Sequence, residues 1–278
     1  MTEKQPKDND KLHDEPHNEP HDEPRVLALT VAYDGAGFAG FARQLGQMTV
    51  QGELEHALAI LFKREIITVG AGRTDAGVHA RNQVVSFELI NDELKERSLE
   101  KLRTSLNALT SDGLVVKAIA EKPAGFSARF SAMQREYRYR IVSSSVPPVF
   151  LARYAWWVPS DQPFDVHLMR QAAQYLQGEH DFKTFCVAKS AEGQTTTRRI
   201  DQVFIFGMQH LGEDSIVIQI RGNAFLHSMV RIIVGCLVEV GLRRRPPEWV
   251  GEVLAACDRR AAAQTAPAHG LTLWDVSY

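Results

Sequence analysis

Runs of strand character and runs of helical apolar spacing follow one another along this chain in one order, and that order occurs twice. The repetition limits the possible folds more than any single motif does. Arg25-Val-Leu-Ala-Leu-Thr-Val-Ala-Tyr33 is rich in β-branched residues and reads as a strand. Val50, Leu54, Leu58, Leu61 and Phe62 recur at helical spacing over residues 50–63. Two short β-like runs come next, Glu65-Ile-Ile-Thr-Val69 and Gln83-Val-Val-Ser-Phe87. Leu94, Leu99, Leu102 and Leu106 predict a helix over about 92–108, and Gly113-Leu-Val-Val-Lys-Ala-Ile-Ala120 closes the unit as a strand. This β-α-β-β-α-β order is the ferredoxin-like arrangement.

The second half follows the same order. Strands are expected over 134–142, 153–158, 199–209 and 214–222, the last two about a turn at Gly212-Glu-Asp214. Helices are expected at about 165–177, 225–241 and 247–257, before a final strand near 270–276. The expectation is an α+β protein whose two ferredoxin-like (RRM-like) halves join edge to edge. They would form one long, mainly antiparallel sheet with a cleft across its face. The breakpoint falls near 121–130, giving an N-terminal unit of 25–124 and a C-terminal unit of 125–278.

Residues 1–24 differ in kind. His13-Asp-Glu-Pro, His17-Asn-Glu-Pro and His21-Asp-Glu-Pro24 form a four-residue repeat with too little apolar surface to fold alone. It reads as a solvated acidic tail; metal binding by its three histidines is the alternative. The tail holds three of the 32 basic and eight of the 34 acidic residues, so the remaining body is mildly basic. That body charge is a weak sign of a nucleic-acid partner. The placement of Arg129, Arg135, Arg138 and Arg140 around Tyr137 and Tyr139 is a stronger one, because such surfaces meet phosphates and bases. Three scattered cysteines, Cys186, Cys236 and Cys257, lack metal-ligand spacing and argue for a reducing cytoplasm. No apolar run is long enough to suggest a membrane span.

Between the two short β-like runs lies Gly70-Ala-Gly-Arg-Thr-Asp-Ala-Gly-Val-His-Ala80. Gly70, Gly72 and Gly77 permit positive φ and close backbone approach, so Arg73 and Asp75 stand on a turn open to a ligand. The plain structural reading has the Asp satisfying backbone N–H groups of its own loop. Arg231 is the second informative charge, set in Phe225-Leu-His-Ser-Met-Val-Arg-Ile-Ile-Val-Gly-Cys-Leu-Val238 among apolar neighbours. A buried arginine needs a partner. A bidentate pair with Asp75 would supply one, and snorkelling to solvent beside His227 and Ser228 on one helical stripe is the alternative. On the 134–142 strand, Arg135, Tyr137, Tyr139 and Ile141 share one face.

Arg73-Thr-Asp-Ala-Gly-Val-His79 resembles the catalytic loop of the tRNA pseudouridine synthase A (synthase I) family. Three further segments are similar in the same order: Tyr33-Asp-Gly-Ala-Gly-Phe-Ala-Gly40, then Phe126-Ser-Ala-Arg-Phe-Ser-Ala132 with Arg135-Glu-Tyr-Arg-Tyr-Arg-Ile141, then Asn223-Ala-Phe-Leu-His-Ser-Met-Val-Arg-Ile-Ile-Val-Gly235. The resemblance covers roughly residues 26 to 276. It implies the pseudouridine synthase fold and isomerisation of uridine in the tRNA anticodon stem-loop at positions 38, 39 and 40. It needs no metal or organic cofactor, and it implies a homodimer that embraces tRNA. By the same resemblance Asp75 is the nucleophile, Arg231 its partner, and Tyr137 stacks on the flipped-out uracil. Arg73, Arg129, Arg135 and His227 are candidates for contact with the RNA. Attack at ribose C1′, attack at uracil C6 and elimination to a glycal all fit these residues. Two departures bear on RNA contact: Gly40-Phe-Ala-Arg-Gln44 replaces the family's Gly-Trp-Gln, and no proline follows Asn107 closely. A non-catalytic RNA-binding module leaves the Asp-centred loop without a purpose. A glycosidic hydrolase lacks a paired carboxylate near the motif.

Overall fold

The structure, a computed structural model, describes residues 25–90, 93–94, 97–187, 193 and 195–278. The acidic repeat lies outside the described residues. Ten strands build one sheet in the order β4-β1-β3-β10-β5-β9-β8-β7, with β2 on β3 and β6 on β5. The strands are β1 (Arg25–Tyr33), β2 (Val69–Gly70), β3 (His79–Leu89), β4 (Leu114–Lys122), β5 (Gln134–Ser144), β6 (Trp156–Pro159), β7 (Gly178–Asp181), β8 (Thr197–His210), β9 (Glu213–Gly222) and β10 (Leu271–Ser277). The helices are α1 (Val50–Phe62), α2 (Leu99–Leu109), α3 (Val166–Gln174), α4 (Met229–Gly241) and α5 (Trp249–Ala255).

The two expected halves are visible in the strand order. β4-β1-β3 and β10-β5-β9-β8 are each ferredoxin-like in succession, and the halves meet where β10 runs parallel to β3. That junction is short, pairing Thr272 with His79 and Leu273 with Ala80. It is possible because β2 is stunted. The Glu65–Val69 run is not a full strand: the Thr68 N–H donates to the buried Glu55 carboxylate of α1 (3.0 Å) instead of to a neighbouring strand. The Gln51 side chain takes the Thr68 carbonyl (2.9 Å). With those groups satisfied by a helix, one stretch of β3's edge is left to β10, and the β2–β3 loop opens into the space between the halves.

Other boundaries shift for local reasons. α2 starts at Leu99, where Ser98 caps it by accepting the Lys101 N–H (3.2 Å), and Leu94 is buried ahead of it. α4 starts at Met229 rather than near 225, because Ser228 is left-handed at φ 60°. β7 is polar throughout and gives no strand pattern in sequence; it forms only because residues 197–200 pair with it. β6 is an addition to the repeated pattern, parallel to β5.

One apolar core runs through both halves, from Leu27, Leu29 and Val31 of β1 to Ile232, Ile233 and Leu237 of α4. Every residue of α4 is buried except Arg231 and Glu239. A helix apolar all round is a core helix, and it sets Arg231 on a rigid element facing the β2–β3 loop. Among the described residues no helix is long and apolar enough to cross a membrane.

Candidate active site

The loop carrying Asp75 is fixed almost residue by residue. Ala71 N–H donates to the Val84 carbonyl (2.8 Å), and Gln83 Nε2 donates to the Gly72 carbonyl (2.7 Å). The Thr74 hydroxyl shares a buried hydrogen bond with Tyr33 (2.8 Å), whose phenol burial pushes up to about 12, and the Thr74 carbonyl accepts the Phe41 N–H (3.1 Å). Of the three loop glycines, only Gly77 uses positive φ (80°). Gly70 is required for another reason: a Cβ there would lie 2.4 Å from the buried Phe41 ring. At the loop's end His79 Nδ1 accepts the Gly35 N–H (3.1 Å) and Nε2 meets the His269 carbonyl (3.1 Å). Burial holds the His79 imidazole below its ordinary range, outweighing the Asp34 carboxylate 3.1 Å away that favours the proton. Rigid support of this kind holds a reacting group in position.

Asp75 is 19% exposed and receives three side chains from the far half of the molecule. Arg231 Nη1 lies 2.6 Å from Oδ2, the Ser228 hydroxyl donates to the same oxygen (2.8 Å), and His227 Nε2 stands 3.4 Å from Oδ1. The Arg231 contact is single-pronged, not bidentate, because its Nε donates to the Ala266 carbonyl (2.8 Å). Arg231 is thereby held from both sides. The expectation of His227 and Ser228 on a helical stripe with Arg231 is corrected: both belong to the loop ahead of α4, and the left-handed Ser228 aims its hydroxyl at Asp75 instead of capping the helix.

Asp75, His227 and Ser228 line a cleft of about 930 Å³ between the halves, together with Gly40, Phe41, Leu226 and Leu271. Tyr137 forms an inner wall, 7% exposed, edge-on to Phe225 with ring centroids 5.1 Å apart. Its hydroxyl makes no hydrogen bond among the described residues, and burial raises its pKa. Arg73 is exposed at the rim and makes no side-chain hydrogen bond or ion pair among the described residues. Arg129 and His227 also border the opening.

Arg135 is the correction. It is 8% exposed, and its guanidinium donates to the carbonyls of Ala71 (3.0 and 3.3 Å), Arg129 (2.6 Å), Ala132 (2.9 Å) and Asn223 (2.7 Å). Those bonds use all five of its N–H donors. It is a brace joining three segments around the cleft, with no donor left for RNA. Sequence reasoning missed Ser228 as a partner of Asp75, and Tyr33, Gln83 and Phe225 as supports. Ser228 lies three residues before Arg231, but only its backbone conformation turns it inward. Arg198 also lines the cleft, giving Nη1 to the carbonyls of Thr195 (3.0 Å) and Thr197 (2.6 Å).

An acidic side chain on a braced glycine turn, facing an arginine across two ferredoxin-like halves, is a layout suited to covalent chemistry on a base drawn into the cleft. A profile of the tRNA pseudouridine synthase family matches residues 29–131 and 172–278. The chain belongs to that family of isomerases, which convert uridine to pseudouridine in tRNA. Asp75, Arg129 and Arg231 fall within the matched stretches, and Tyr137 lies between them. The chain is 46% identical over 252 residues to tRNA pseudouridine synthase A of Brevibacillus brevis, covering 91% of this chain and 99% of that one. It is 44% identical over 254 residues to the enzyme of the same name from Thermotoga neapolitana, covering 91% and 100%. With tRNA pseudouridine synthase A of Halalkalibacterium halodurans it shares 44% identity over 246 residues, covering 88% and 89%.

Proposed function

We propose that Asp75 is the nucleophile of this isomerase and that its targets are uridines 38, 39 and 40 of the tRNA anticodon stem-loop. The observation that carries the first part is the asymmetry at Asp75. One carboxylate oxygen is bound by Arg231 and Ser228, while the other meets, among the described residues, only His227 at 3.4 Å on the cleft side. A carboxylate gripped through one oxygen is oriented, and its second oxygen is presented to a substrate.

The reaction breaks the C1′–N1 bond, turns the uracil, and joins C1′ to C5. The C5 hydrogen leaves to solvent and N1 gains a proton. A transient Asp75 adduct, at ribose C1′ or at uracil C6, divides that exchange into easier steps; elimination to a glycal is the third route that the geometry accommodates. The target must first leave its helix. Arg73, exposed two residues from Asp75, is suited to gripping the phosphate of the extruded nucleotide. Tyr137 and Phe225 form an aromatic wall against the uracil. Action at three neighbouring sites fits recognition of RNA shape and phosphates more than base edges. The reading extends, by the family resemblance, to a cytoplasmic homodimer.

The test is positional. Unmodified tRNA transcripts are incubated with the protein, digested, and mapped for pseudouridine. New pseudouridine at 38 to 40 alone is expected; modification confined to another stem-loop overturns the target assignment. Sedimentation should give twice the mass of one chain, and a monomer that keeps full activity overturns the dimer.

A further inference from the structure

At the mouth of the cleft stands a side chain that this chemistry leaves unused. Phe130 is 81% exposed and borders the cleft beside Arg129, whose guanidinium lies 5.4 Å from the ring centroid. The backbone around it is nonetheless tied down. Buried Arg135 donates to the carbonyls of Arg129 and Ala132, on either side of the ring. The buried Ser86 hydroxyl accepts the Ala128 N–H (2.9 Å), and the Tyr278 hydroxyl donates to the Ala128 carbonyl (2.9 Å). Ser127 and Ser131 close the turn on each other: Ser127 N–H donates to Ser131 Oγ (3.1 Å) and Ser131 N–H donates to the Ser127 carbonyl (2.9 Å).

Burying an arginine to hold a surface phenylalanine stabilises nothing through that ring. It fixes where the ring stands. The setting selects the occupant. Arg73, Arg129 and Arg198 make the opening electropositive, and an aromatic face backed by a guanidinium suits a nucleobase. Drawing one uridine into the cleft strips a stacking neighbour from the adjacent base, and a ring at the mouth can replace it.

We propose that Phe130, backed by Arg129, is a stacking platform for an unpaired tRNA nucleobase next to the target uridine. The assignment rests on the reading that the target enters this cleft. Because the side chain is exposed, substitutions there leave the core intact. The test compares full-length wild type with Phe130→Ala, Phe130→Leu and Phe130→Trp, for binding and turnover of one tRNA transcript. Phe130→Ala is expected to raise Kd and KM roughly tenfold while kcat stays within about twofold, the size and sign of a lost base stack. Phe130→Leu, apolar but without a π face, should behave like Phe130→Ala. Phe130→Trp should restore affinity and show indole quenching on RNA addition beyond that of wild type. Wild-type affinity in Phe130→Ala, or full rescue by Phe130→Leu, overturns the platform. So does an affinity loss that tracks a change in sedimenting mass, since the ring is then a subunit contact. Wild type that binds tRNA but modifies no anticodon uridine defeats the target assignment instead, and the binding arms still read the platform.

Discussion

At the residue scale, Ser228 shares one oxygen of Asp75 with Arg231 while Arg135 braces backbone carbonyls around the cleft, so removing Ser228 and removing Arg135 should have different signatures. Ser228→Ala deletes a hydrogen bond to a charged group, which contributes about 1.5 to 3 kcal/mol. Steady-state kinetics should show kcat down about tenfold or more with KM little changed, because the hydroxyl donates to the carboxylate and orients it. An unchanged kcat would remove Ser228 from the machinery. Arg135→Ala should instead act on stability. It abandons carbonyls in three segments, and the unfolding free energy in urea should drop by about 3 kcal/mol. A loss of tRNA affinity without that destabilisation would return Arg135 to the substrate. These residues also mark what sequence displays. Asp75 and Arg231 are legible because charge in a glycine turn or an apolar helix needs an explanation. Arg135 is misread because sequence reveals a cation but not where its donors point. Ser228 is hidden because its direction depends on a left-handed φ that nothing in the chain announces.

At the scale of elements, α4 and the strap after α5 work together. A Cβ on Gly235 would lie 2.0 Å from the Gln264 carbonyl oxygen, and two residues on Ala266 holds Arg231 through its carbonyl and its N–H. Gly235→Ala should therefore cost about 3 kcal/mol by overpacking and also slow turnover by displacing Arg231. Thermal melts and single-turnover rates check both, and a stable, fully active variant would contradict the coupling. His79 ties β3 to the segment before β10. Its folded-state pKa is lowered by burial, so below the ordinary value of 6.5 the unfolded chain binds more protons than the native one. The stability from neutral His79 is complete above that value and is lost as pH falls through the window beneath it. Urea titrations at about pH 8 and about pH 5 should show this slope, and His79→Gln should flatten it. Most elements were readable from apolar spacing and β-branched runs. The truncation of β2 was not, since it comes from Glu55 and Gln51 of the preceding helix capturing Thr68 through their side chains. β7 was not, since a polar edge strand is made by its partner.

At the scale of the molecule, the halves share two pairs of β3–β10 residues but one uninterrupted apolar core. Unfolding should be cooperative across both, with far-ultraviolet dichroism and tryptophan fluorescence transitions coinciding. Two separated transitions would mean that the halves are independent and that the cleft between them is adjustable. The twofold repetition was visible in the sequence. The edge-to-edge join was also expected, but not that β10 would meet β3 in parallel, because that depends on an edge left vacant by one shortened strand.

The central claim is that the carboxylate at the meeting of these halves performs the isomerisation. The most direct measurement follows tritium released to water from uracil C5 of a tRNA transcript, with wild type and with Asp75→Ala. Release by wild type, none by the variant, and retained tRNA binding by both is the expected result. Release that persists in Asp75→Ala would contradict the assignment of Asp75, and its absence from wild type as well would contradict the isomerase reading of this cleft.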